Sequence, residues 1–249
     1  MDPFRISIVG IDGSGKSTTT LKAIQNLSHR FSICKTGRNP FFIYQGGITP
    51  CLPKIADFFE KLFKRVDATR RRTWIGLTRF LFVLFQGWLE PYMIRRYRPV
   101  LIMTTRCMII DPVVYSHFYY PTISRKMDVA KKLMWAQKCS GLPFRDLYFF
   151  LDTPIQMAIE RIYKRISIDH PETTYGRDYW LHLHEHEATL QVLDQKFRQT
   201  LEIAQNKSAF HLIEIDTRQR DEKAVAEVIA HYTRMAYQGF PLERRMKVV

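Results

Sequence analysis

The chain has 249 residues, 46% of them hydrophobic, and sets 38 lysines and arginines against 24 acids for a formal charge of +14. That length and apolar content fit one cored domain and require no second one. The charge favours anionic partners without choosing among phosphates, nucleic acid and an acidic membrane surface. Cys34, Cys51, Cys107 and Cys139 stand far apart with no C-x-x-C pair, which argues against a zinc knuckle or a disulfide framework and for reduced thiols.

Phe4 to Val9 predicts a first strand and Lys16 to Leu27 a helix. Between them runs Gly10-Ile11-Asp12-Gly13-Ser14-Gly15-Lys16-Ser17, which fits G-x-x-x-x-G-K-[ST] in the strand-to-helix context of a P-loop. Glycines there let backbone N–H groups approach a phosphate, and the helix start aims its unpaired N–H groups at the same anion. Gly10, Asp12, Gly13, Ser14, Gly15, Lys16, Ser17 and Thr18 are therefore the expected ATP-binding residues, with Lys16 on the β- and γ-phosphates and Ser17 on Mg2+.

Arg30 to Thr36 predicts a second strand, so that strand, helix and strand form a parallel β-α-β unit. Asn39 to Pro53, rich in Gly and Pro, is expected as an irregular binding loop at a sheet edge. Helices follow over Ile55 to Val66 and Thr73 to Arg96, then a strand over Val100 to Thr105 and a helix over Met127 to Cys139 that stops at Ser140-Gly141. The apolar run Trp74 to Ile94 is interrupted by Arg79, Gln86 and Glu90 and is too short of uncharged residues to span a membrane, so it is expected as a core helix, with an in-plane membrane helix as the alternative. Leu147 to Leu151 predicts a strand, Asp152-Thr153-Pro154 the cap of a helix over Ile155 to Ile166, and a long helix is expected from about Trp180 to Asn206. A strand over Phe210 to Ile215 and a helix over Glu222 to Tyr237 close the pattern. Alternating strands and helices call for a three-layer α/β sandwich, a parallel sheet flanked by helices, with a helical lid at about residues 161 to 180. This domain is expected over residues 1 to 236, followed by a basic C-terminal tail over residues 237 to 249, with disorder from Gly239 to Val249 allowed.

The order of these motifs resembles the thymidylate kinase family within the P-loop nucleoside and nucleotide kinases. The likeness is carried by GIDGSGKST from Gly10 to Thr18, by Thr36-Gly37-Arg38-Asn39-Pro40, where the family has Arg-Glu-Pro, and by Leu77-Thr78-Arg79 ahead of Glu90-Pro91. It continues through Thr105-Arg106, where the family has Asp-Arg, and through Leu151-Asp152-Thr153-Pro154 followed by Arg161 and Arg165. A second register sets Asp111 to Ser116 against the family's Asp-Arg-Tyr run; Arg106 is preferred because it ends a strand, where ligands bind in open α/β sheets. Thr105 cannot carry the family's charge, which leaves Asp111 or Asp12 to replace it.

The resemblance implies an ATP- and Mg2+-dependent kinase acting on a nucleoside monophosphate such as dTMP or a related small phosphate acceptor. Lys16, Arg106, Arg161 and Arg165 are its expected catalytic residues, and Arg38, Arg79, Arg106, Asp111 and Tyr115 its acceptor-side residues. A guanidinium fork matches phosphate in two bonds, although an ion pair of Arg79 with Glu90 or Asp57 is a competing account. Phe41, Phe42 and Tyr115 are candidates for stacking on a base, and His182 with His186 is a weak metal pattern. Binding to nucleic-acid ends and ATP binding without transfer are the alternative functions. A cytoplasmic protein, without a transmembrane segment and with a possible homodimer, completes the expectation.

Overall fold

The structure, a computed structural model, describes residues 2–37, 41–69, 71–169 and 185–248. Strand β1 (Phe4–Val9) puts Ile6 and Ile8 on one face of the sheet and Val9 on the other, all essentially inaccessible to solvent. It leads through the glycine loop into α1 (Lys16–Ser28), whose Ala23, Ile24 and Leu27 cover the first face. Next come β2 (Ile33–Thr36), the short strands β3 (Phe42–Tyr44) and β4 (Ile48–Pro50), and two helices, α2 (Pro53–Ala68) and α3 (Arg72–Tyr97). After β5 (Leu101–Thr104) the chain makes three short helices, α4 (Ile110–Val114), α5 (Ser116–Tyr119) and α6 (Pro121–Lys126), then α7 (Val129–Ser140). The rest is β6 (Leu147–Asp152), α8 (Ile155–Asp169), α9 (Glu187–Lys207), β7 (His211–Asp216), α10 (Glu222–Tyr237) and β8 (Arg245–Val248).

The sheet order is β4-β3-β2-β5-β1-β6-β7-β8. From β2 to β8 every neighbouring pair is parallel; β3 and β4 add an antiparallel hairpin at the edge. Strands of a parallel sheet are covered on both faces, hence the unbroken apolar runs. Leu147, Phe149 and Leu151 of β6 join α1 and α10 in one core; Tyr148 and Phe150 join α8 and α9 in the other. A third cluster packs α2 and α3 over β2, β3 and β5. The expected three-layer sandwich is therefore the observed one.

Three expectations need correction. The stretch from Asn39 to Pro53 is not wholly irregular: Gly46, at φ +68, turns the chain between β3 and β4. The long helix begins at Glu187 rather than near Trp180, since Glu185 and His186 are not helical and residues 170–184 lie outside the described residues. The basic tail does not hang free. Its residues Arg245–Val248 pair with β7, and Arg245 forms an ion pair with Glu214 at 2.5 Å.

Candidate functional site

β1 and β5 lie side by side, so the loop after β1 and the turn after β5 open at the same carboxyl edge of the sheet. Gly15 begins α1 at φ +88, a conformation costly for any residue with a Cβ. Gly13, at φ +79, lies so close to α8 that a Cβ would come within 2.3 Å of the Ala158 carbonyl oxygen. The loop is thus clamped between its own helix and α8. Inside it, Lys16 Nζ donates to the carbonyls of Gly10 at 2.8 Å and Ile11 at 2.6 Å and lies 3.9 Å from Asp12. The Ser14 hydroxyl is buried with no hydrogen-bond partner, while Ser17 and Thr18 face solvent on the first turn of α1. Glycine-permitted backbone, a lysine held at the loop and an unsatisfied buried hydroxyl fit a triphosphate.

Beside this loop lies a pocket of about 500 Å³, open mouth included, lined by Arg79, Phe82, Val83, Arg106, Met108, Asp111, Pro112, Tyr115, Tyr119 and Tyr120. The two walls are α3 and the α4–α5 segment. Tyr115 joins pocket and loop: its hydroxyl donates to Asp12 Oδ2 at 2.8 Å. Burial raises the Tyr115 phenol well above its usual value, and the Asp12 charge adds to that. Tyr119 stacks parallel to Tyr115, with ring centroids 6.1 Å apart.

The pocket's arginines each face an acid. Arg79 Nη2 reaches both Asp67 oxygens, at 3.0 and 2.7 Å, and its guanidinium lies 4.1 Å from the Phe63 ring centre. Its ion-pair partner is therefore Asp67, at the end of α2, and not Asp57 or Glu90. Asp57 pairs with Lys61, and buried Glu90 pairs with Arg145 at 2.7 Å and Arg5 at 3.3 Å. Burial pushes the Asp111 carboxyl up to about 7, although Arg106 and then Lys16 pull it down. Burial would lower the Arg106 pKa, but Asp111 and then Asp12 hold it above its ordinary value.

Arg106 and Asp111, the residues of the two sequence registers, line one pocket. Thr105 is buried, and its hydroxyl makes no hydrogen bond. Arg161 on α8 reaches the loop, its Nη1 standing 3.8 Å from where a Gly15 Cβ would be. Arg165, one turn on, is held by Glu185 at 2.7 Å. Phe41 is core, Phe42 lies on β3 stacked edge-on to Tyr44, and only Tyr115 of the three stacking candidates is in the pocket. Arg38 and His182 lie outside the described residues; His186 is exposed just before α9. Sequence reasoning missed Phe82, Val83, Met108, Pro112, Tyr119 and Tyr120. Helical spacing from Arg79 and Tyr115 would have found Phe82, Val83 and Tyr119.

No protein-family model matches the chain, and no curated protein does. Solved structures do. The chain is similar to deoxyadenosine kinase from M. mycoides with the products dCMP and a flexible dCDP bound, at 16% identity over 93% of this chain and 99% of that one, TM-score 0.56. It is also similar to the same enzyme with dATP, at 17% identity over 93% and 100%, TM-score 0.54. With dCTP the figures are 16%, 93% and 99%, TM-score 0.52. The chain shares the fold of these deoxyadenosine kinase structures. A likeness at this identity shows the fold alone and does not single out the thymidylate kinase family. Among the described residues no helix is long and apolar enough to cross a membrane.

Proposed function

We propose that the chain is an ATP-dependent phosphotransferase whose acceptor is a nucleoside or nucleoside monophosphate, and that the neutral nucleoside is the better fit. The observation that carries the proposal is an acid beside each pocket arginine, Asp67 in contact with Arg79 and Asp111 near Arg106, next to the glycine loop. With Asp67 on Arg79 and Asp111 beside Arg106, a phosphate dianion meets positive charge that is already partly offset, whereas the polar edge of a base can hydrogen-bond to such a pair. The tyrosine and phenylalanine walls supply stacking surfaces. The fold shared with deoxyadenosine kinases agrees with this reading. The thymidylate-type reading needs an incoming phosphate to displace Asp67 from Arg79.

Phosphoryl transfer requires in-line placement and positive charge around the moving group. Lys16 and Arg161 supply that charge from two sides of the loop. Asp111, close to both Arg106 and Lys16, is suited to accept the proton of an attacking hydroxyl, because its carboxyl titrates near neutrality. Mg2+ would be held by Ser17 together with phosphate oxygens, and it supplies charge neutralisation there. Among the described residues no cluster of three or more His, Cys, Asp or Glu side chains offers a cage for a metal, and magnesium's preference for phosphate and water ligands does not need one.

The test is ADP release measured with a panel of deoxynucleosides and their monophosphates. Faster turnover of a deoxynucleoside is expected; preference for a monophosphate transfers the assignment to the thymidylate-type acceptor. No acceptor-stimulated turnover at all leaves an ATP-binding protein without transfer.

A further inference from the structure

A second cavity opens at the end of the sheet opposite the glycine loop. It measures about 750 Å³, open mouth included, and its floor lies where β1, β6 and β7 begin, at Phe4, Asp146 and His211. Its wall is the end of α10 and the turn that follows, with Ala236, Phe240 and Leu242 on the cavity. This wall is fixed by its own contacts. The Gly239 and Phe240 N–H groups donate to the carbonyls of Ala236 at 3.1 Å and Met235 at 3.0 Å, and the Arg244 side chain donates to the carbonyls of Gln205 and Ser208 at the end of α9. A preformed, mostly apolar hollow with a few placed polar groups is the kind of site that takes a small molecule.

The two polar side chains of the lining are both acceptors. Asp146 Oδ2 accepts the Arg5 backbone N–H at 2.6 Å; Oδ1 has no partner, and the carboxylate no ion pair, among the described residues. His211 Nδ1 lies 3.2 Å from the Glu243 carbonyl oxygen. A carbonyl cannot donate, so Nδ1 carries the hydrogen of that bond, and in the neutral ring Nε2 is a bare acceptor. The rest of the lining is apolar. Phe4 is engaged edge-on with Tyr237, ring centroids 6.3 Å apart, whereas Phe240 is 55% exposed and has no ring partner among the described residues. A carboxylate oxygen and a bare ring nitrogen call for a cationic donor, and an unpaired aromatic face calls for another ring. We propose that this cavity binds a small aromatic amine in its ammonium form, with the ammonium on Asp146 and His211 and the ring on Phe240. An ammonium has up to three N–H donors, enough for both acceptors at once. A phosphate-bearing ligand, the class that the basic composition favours elsewhere, is repelled here by Asp146. The site is separate from the glycine loop, so it does not rest on whether the chain transfers phosphate.

Phenethylamine is the probe, followed at about pH 8 through the amide NMR spectrum of the full chain. It should bind with a dissociation constant on the order of 1 mM, in keeping with its size. The shifted amides should be those of His211 and of Gly239 to Leu242, and not those of Gly10 to Thr18. Phenylpropionate, close in shape and opposite in charge, should not bind, and n-butylamine, which lacks the ring, should bind at least roughly fivefold more weakly. Asp146→Asn keeps a side-chain carbonyl for the Arg5 N–H but loses the charge. It should weaken phenethylamine roughly tenfold or more, with the melting temperature little changed. Phe240→Ala, at an exposed ring, should weaken it about fivefold and keeps the inference testable if Asp146→Asn fails to fold. No binding at about 10 mM phenethylamine, equal binding of either analogue, shifts confined to the glycine loop, or an affinity unchanged in either folded variant would overturn the inference.

Discussion

Burial holds a proton on Asp111 up to about pH 7, while the unfolded chain releases it near 3.8. The native state therefore binds more protons in that window, and the stability due to protonated Asp111 declines as pH rises from about 4 through 7. The chemistry runs the other way, since the carboxylate is the form that accepts a proton. kcat/KM should rise through about pH 7, and Asp111→Asn should remove that limb and lower activity by on the order of 100-fold while flattening the decline of the melting temperature. If Lys16 faces developing charge as proposed, Lys16→Ala should cut kcat roughly 1000-fold with circular dichroism unchanged. At the pocket, Asp67→Asn frees Arg79 from its acid. It should shift the ratio of nucleoside to monophosphate turnover toward the monophosphate, whereas Arg79→Ala should raise the acceptor KM about tenfold and leave the KM for ATP in place. An unchanged ratio in Asp67→Asn would show that the pair is structural.

Two contacts between elements are open to test, one at the glycine loop and one at the sheet edge. A methyl group at Gly13 meets a backbone carbonyl of α8 and not a flexible side chain, and φ there is +79. Gly13→Ala should therefore cost about 2 kcal/mol or more, read as a lower midpoint in urea. β8 covers the outer edge of β7 and sets Arg245 on Glu214 and Lys247 near Asp152. Removing residues 243–249 should lower the melting temperature by several degrees and leave β7 an exposed edge. This strand was invisible in the sequence because four basic and apolar residues at a terminus give too short an alternation to outweigh their charge. β3 and β4 were lost in a glycine- and proline-rich tract. Yet Gly46-Gly47 between Tyr44 and Ile48 is a hairpin signal, and Pro50 is tolerable on an edge strand. The helices α4 to α6 run four to six residues each, which is shorter than two turns and leaves no period to detect.

Over the whole molecule, long apolar strands alternating with long helices were legible because burial on both faces writes itself into composition. The glycine loop was legible because its backbone admits few residue types. What escaped was proximity: that Asp67 on α2 would take Arg79, and that Arg106 and Asp111 would share a pocket, depends on how helices cross, which spacing along one chain does not encode. The 38 basic residues are likewise spread along the chain, and some of them are held in internal ion pairs, as in Arg145 on Glu90 and Arg198 on Asp152 and Asp194. Titration of a single-stranded oligonucleotide at physiological salt should accordingly show weak binding that vanishes as salt rises. Tight, sequence-tolerant binding would favour the nucleic-acid-end reading. Tyr115, finally, joins two places at once, because its ring lines the pocket beside α3 and its hydroxyl donates to Asp12 in the glycine loop. If both places bind ligand, filling either should change what the other costs to fill, and thermodynamic reciprocity makes that coupling equal in both directions. Tyr115→Phe should leave each ligand its own contacts while erasing the synergy between them in calorimetry.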